Sequence, residues 1–83
     1  MAERRVLVVD DDPHLGDMVS LVLGDGEYRV QHVGSGQEAL ERQRQEAADL
    51  VILDVGLPDM SGFDVLRELR KESNVCVLML TGR

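Results

Sequence analysis

Residues 50–60 read LVILDVGLPDM, and this stretch decides how the rest of the chain is read. Leu50 to Val55 is an apolar run of strand length. It lacks the alternation of a half-exposed strand, as expected for a parallel strand covered on both faces. Gly56, Leu57 and Pro58 end it with a turn signal. Asp54 sits near the end of the run, where a carboxylate at the mouth of a buried strand is costly unless something neutralises it.

Working outward, three more short runs have the same character: Arg5 to Val9 (RVLVV), Tyr28 to Val33 (YRVQHV) and Val75 to Leu80 (VCVLML). All are rich in β-formers and bounded by Gly, Asp, Pro or Ser. The first and last are apolar without alternation. Tyr28 to Val33 carries Arg29, Gln31 and His32 and reads as an edge strand. Helical spacing fills the gaps. Leu15, Met18, Val19, Val22 and Leu23 share one face of a helix that begins after Asp12-Pro13 and stops near Gly24. Ser35 and Glu38 make a capping box for a second helix to about Ala47, with Ala39, Leu40 and Ala47 as a thin apolar face. Ser61 and Asp64 open a third, whose buried stripe is expected to be Phe63, Leu66 and Leu69. The order is βαβαβαβ, which predicts an α/β doubly wound parallel sheet with right-handed crossovers and helices on both faces.

The 83 residues make one small domain, 1–83, with no linker or repeat. A chain of this length buries only about 60 to 65% of the surface its unfolded form exposes. Sixteen acidic against nine basic residues give a net charge of -7, which argues against nucleic acid or an anionic membrane as a direct partner. No apolar run approaches the length of a membrane span. The single cysteine, Cys76, fits a reducing cytoplasm and is expected to be a small buried hydrophobe. His14 and His32 show no partner in the sequence and read as surface residues.

In an open parallel sheet, ligands bind beyond the carboxyl ends of the strands. Asp10, Asp11 and Asp12 follow the first strand, Asp54 closes the third, and Thr81 follows the fourth. Asp12 before Pro13 reads as a helix N-cap. Asp10, Asp11 and Asp54 on one rim would raise one another's pKa unless a cation joined them. A hard divalent ion such as Mg²⁺, which takes oxygen ligands, answers that conflict. There is no His/Cys cluster for zinc and no EF-hand spacing for calcium.

These segments, VLVVDDDP, LVILDVGLPDMSGFDVLRELR and VCVLMLTGR, resemble the receiver domain of two-component response regulators, a flavodoxin-like fold in which the first four strands take the order 2-1-3-4. The resemblance implies that Asp54 accepts a phosphoryl group from a sensor histidine kinase. It implies that Asp10, Asp11, Asp54 and the backbone carbonyl of Gly56 serve a Mg²⁺ ion, and that Thr81 is the switch hydroxyl. The chain is then a phosphoacceptor in a phosphorelay and not an enzyme in the ordinary sense. Leu57-Pro58 and Gly62 shape the loop beside the site, Gly62 allowing a tight approach. Gly56 stands where the family often has a larger side chain, which implies an acyl phosphate more open to water. Cys76 stands where proline is frequent. The LTGR ending resembles bacterial regulators of the OmpR/PhoB type, whose winged-helix output domain controls transcription.

A receiver continues with a fourth helix, a fifth strand ending in a lysine, and a fifth helix. Lys71 cannot be that lysine. The expectation is an incomplete receiver: a piece of a longer regulator, or a chain that self-associates through the exposed fourth strand or by swapping. The alternative function is a non-phosphorylatable receiver fragment acting as a protein-interaction or dimerising scaffold. A haloacid-dehalogenase-like phosphotransferase wants a second Asp where Gly56 stands. A phosphate-loop enzyme needs a Gly-rich loop ending in Lys-Ser or Lys-Thr, which is absent.

Overall fold

The computed structural model describes residues 4–23 and 26–80. Seven elements alternate: β1 (Arg4–Val9), α1 (Pro13–Leu23), β2 (Tyr28–Val33), α2 (Gly36–Gln45), β3 (Leu50–Asp54), α3 (Gly62–Glu72) and β4 (Cys76–Leu80). The strands form one parallel sheet in the order β2-β1-β3-β4, with Val6 to Val9 opposite Leu50 to Leu53 at its centre. β2 is an edge, as its mixed composition suggested.

Alternation along the strands divides the core in two. Leu7, Val9, Val51 and Leu53 face α2 and α3 and pack with Ala39, Leu40, Val65 and Leu69. Val6, Val8 and Ile52 face the other way, against Leu15, Val19 and Leu23 of α1. Each central strand is therefore covered on both sides, which is why its sequence shows no alternation.

The helices differ from their expected faces for identifiable reasons. In α3 the buried residues are Gly62, Val65 and Leu69, while Phe63 is 55% exposed. Gly62 lies against the end of β3, and a Cβ there would run into the Asp54 carbonyl and Val55 Cα. That contact fixes the rotation of the helix and turns Phe63, one residue on, toward solvent. In α1, Leu15, Val19 and Leu23 face the sheet, whereas Met18 and Val22 are 60% and 81% exposed. They rim a groove with Ile52 and Leu78 that no described element covers. α2 ends at Gln45, short of Ala47, which is exposed. The buried Gln43 side chain meets both backbone groups of Ala48, at 2.9 Å from its N–H and 3.4 Å from its carbonyl, so the chain turns there.

Cys76 is exposed and not buried. β4 is an edge strand whose Cys76 and Leu78 stand opposite Leu50 and Ile52, on the face that α1 covers only in part. Val77 and Met79 point the other way and pack on the α2/α3 core.

Candidate functional site

The carboxyl ends of β1 and β3 bring Asp10, Asp11 and Asp54 together. Oxygens of the three carboxylates all lie within 4.8 Å of one another. Asp10 follows β1 and its N–H donates to the Val33 carbonyl at 3.1 Å. Its Oδ1 accepts the Asp12 N–H at 2.7 Å, folding the three acidic residues into a tight turn. Asp12 in turn accepts the His14 N–H at 2.9 Å and caps α1, the role its place before Pro13 suggested.

Asp54 is the last residue of β3, half-buried, with Leu80 of β4 beside it in register. Beyond it the chain is tied down twice. The Val55 N–H donates to the Leu80 carbonyl at 3.1 Å, and the Gly62 N–H to the Val55 carbonyl at 2.8 Å. Gly56, which is exposed, pairs with Ser61 across the loop. The tight approach expected at Gly62 is thus real. Thr81 lies outside the described residues.

None of the ion pairs among the described residues involves the acidic trio. Burial pushes the Asp10 carboxyl above its ordinary value, and the charges of Asp54, Asp11 and Asp12 push it further, while the Asp12 N–H works against them. Three oxygen donors converging with no described basic side chain paired to them fit a hard divalent ion, which would replace mutual repulsion by coordination.

Two contacts around this rim have no signature in the sequence. The Asp59 carboxylate, in the β3–α3 loop, accepts the N–H groups of Gly36 at 2.8 Å and Gln37 at 2.9 Å. His32, expected to lack a partner, places Nε2 at 2.7 Å from the Asp10 carbonyl. Both link residues more than twenty positions apart, and only the folded topology brings them together.

A parallel sheet in this order with an acidic cluster at its carboxyl rim defines a class of signalling module, and the chain belongs to the response regulator receiver domain family, whose model matches residues 6–83. It is similar to the DNA-binding response regulator MtrA of Mycolicibacterium smegmatis, with 45% identity over 96% of this chain and 35% of MtrA. It is also 47% identical to the probable transcriptional regulatory protein TcrX of Mycobacterium tuberculosis, over 94% of this chain and 34% of TcrX. The chain therefore spans about a third of the length of these curated relatives. Among solved structures, the chemotaxis response regulator CheY4 of Vibrio cholerae superposes with a TM-score of 0.90 at 35% identity, over 99% of this chain and 71% of that one. The BeF3-activated receiver domain of Klebsiella pneumoniae RstA gives 0.88 at 31% identity, over 96% and 68%. The Asp10/Asp11/Asp54 group resembles the phosphorylation site of this family.

Proposed function

We propose that this chain accepts a phosphoryl group on Asp54 from a sensor histidine kinase, as the receiver of a cytoplasmic two-component system that controls transcription. The observation that carries this reading is the convergence of Asp10, Asp11 and Asp54 at the strand ends. An Asp54 carboxylate oxygen forms a bond to phosphorus as the bond from phosphorus to the kinase's histidine nitrogen breaks, leaving an acyl phosphate. Asp10, Asp11, Asp54 and the Gly56 carbonyl would hold Mg²⁺, which when bound offsets negative charge on the transferring group. Gly62 and the backbone bonds of Val55 hold Asp54 at the rim. Thr81 is the hydroxyl that would meet the new phosphoryl group and pass the change outward.

The acidic surface leaves DNA contact to other parts of a regulator such as MtrA, described as DNA-binding. No described helix is long and apolar enough to cross a membrane. The uncovered β4 edge and the α1 groove favour self-association of this chain.

The test is incubation with acetyl phosphate and Mg²⁺, read by intact mass. A phosphate-sized adduct that disappears in Asp54→Asn and on chelation is expected. Absence of an adduct in the wild-type chain would sink the proposal and leave the scaffold role.

A further inference from the structure

We propose that His32 is a positioning residue for the acidic turn: by donating its Nε2–H to the Asp10 carbonyl, it fixes the peptide plane between Asp10 and Asp11 and so the direction in which Asp11 presents its carboxylate to a divalent cation. The claim rests on the reading of Asp10, Asp11 and Asp54 as a cation site.

The contact is 2.7 Å long, and a carbonyl oxygen has no proton to give, so the ring nitrogen is the donor. The carbonyl belongs to the same planar peptide unit as the Asp11 N–H. Holding the oxygen toward β2 therefore holds the Asp11 amide in the opposite direction. Asp10 as a residue is gripped at three points. The Asp10 N–H is bound to Val33, the Asp10 carbonyl to His32, and the Asp10 side chain to the Asp12 N–H. Without the imidazole, Asp10 loses the one of these three constraints that acts on its own carbonyl, just where the chain leaves the strand.

The ring is itself held in place. Gly16 is the buried residue of α1, and a Cβ there would sit 3.0 Å from both Cβ and Cγ of His32 and 3.2 Å from Nδ1. The missing side chain lets the helix backbone lie against the imidazole and fix its orientation. Val8 is the strand partner of His32, so the ring starts two residues short of the turn and reaches forward to Asp10. Gly16, His32 and Asp10 thus form a chain of contacts from α1 through β2 to the rim. The arrangement is specific in its chemistry, since an aliphatic side chain at position 32 would fill the same space against Gly16 and offer no donor.

Two variants separate donor from volume. His32→Leu keeps bulk and removes the N–H; His32→Gln keeps an N–H donor at similar reach. Mn²⁺ binding is measured by water proton relaxation or electron paramagnetic resonance, with amide spectra of the metal-free proteins recorded alongside. The Leu variant is expected to bind Mn²⁺ about three- to tenfold more weakly, by analogy with other groups that orient metal ligands. Its Asp11 and Asp12 amide resonances should move while the rest of the sheet stays put. The Gln variant should remain within about twofold of wild type. Equal affinity in wild type and His32→Leu, or equal loss in both variants, overturns the positioning role alone. A wild-type chain that binds no Mn²⁺ overturns the cation-site reading, and the positioning role with it.

Discussion

Asp54 is useful only if it is held at the rim, and the residue that holds it is a glycine. A methyl group at Gly62 would meet the Asp54 carbonyl and Val55, which are backbone and cannot step aside. At Gly36 it would meet the Met60 thioether and a Val65 methyl, of which the first is flexible. At Gly34 it would meet nothing within 4 Å, and the residue does not have positive φ. Chemical denaturation should therefore rank three alanine variants. Gly62→Ala is expected to cost about 3 kcal/mol and Gly36→Ala about 1, whereas Gly34→Ala should be neutral or stabilising by roughly 0.5 kcal/mol. The acidic trio predicts the reverse of a loss. Asn at position 10 keeps the oxygen that accepts from Asp12 and removes one of the clustered charges, so Asp10→Asn should raise the metal-free melting temperature at neutral pH. Screening limits the gain to roughly 1 kcal/mol, or a few degrees in a domain of this size. A lower melting temperature would contradict a carboxylate at Asp10 disfavoured by burial and by its acidic neighbours. At this scale the trio and the Asp12 cap were legible from strand ends and turn chemistry, and the approach at Gly62 from the family resemblance. His32 and Asp59 were not, because nothing local in their sequence marks a contact with residues 22 or 23 positions away.

At the scale of elements, α2 shows how a loop near the site is fastened. Its first three N–H groups are all satisfied: Gly36 and Gln37 by Asp59, and Glu38 by the Ser35 hydroxyl at 3.2 Å. The capping box predicted only the last of these. The N–H bonds from Gly36 and then Gln37 hold the Asp59 carboxyl below its ordinary value of 3.8. A carboxyl so depressed stabilises the fold above its unfolded pKa, and the contribution disappears as pH falls through the lower folded value. Asp59→Asn should therefore melt at lower temperature than wild type at pH 7. The difference should begin to shrink as pH falls through about 4, where the unfolded chain takes up its proton, and vanish below the lower folded value, where wild type has also lost the charge. A gap that persists unchanged into acid would mean that the carboxylate charge is not what fastens the loop. At the other end of α2, the Arg44–Glu72 pair with α3, at 3.0 Å, is open to solvent on both sides and adds little. Element order, type and approximate ends were legible because strand runs and helix caps are local signals. The helix faces were less so. An apolar residue such as Phe63 or Val22 satisfies the helical period, but the rotation of a helix follows from where it comes closest to its neighbours, at Gly62 against the β3 backbone or at Gly16 against the His32 side chain, which spacing does not encode.

At the scale of the whole molecule, the two sides of the sheet are unequal. α2 and α3 together close one side over Leu7, Val9, Val51 and Leu53, all at most 2% exposed. Among the described residues α1 alone lies on the other, beside an apolar groove, and the described sheet has its edge there at β4 with Leu78 52% exposed. The unbroken apolar run of residues 75–80 foretold a strand but not which of its faces would be covered, since cover depends on neighbours outside the run. Exposed apolar surface next to an unpaired strand edge favours contact between chains. This 83-residue chain should therefore sediment as a concentration-dependent mixture, with dimers at tens of micromolar. Lysine at position 78 places a charge on the edge that strand pairing would have to bury, while costing the monomer about 1 kcal/mol or less because the site is half exposed. Leu78→Lys should shift the distribution to monomer with little change in melting temperature at low concentration. Val22→Lys separates the two surfaces: association lost only with Leu78→Lys assigns it to the strand edge, and association lost with either assigns it to the groove as a whole. A wild-type chain that stays monomeric throughout would refute association by this face. The acidic rim lies at the ends of the strands, so either variant should still acquire phosphate from acetyl phosphate at the wild-type rate if the rim works without chain pairing.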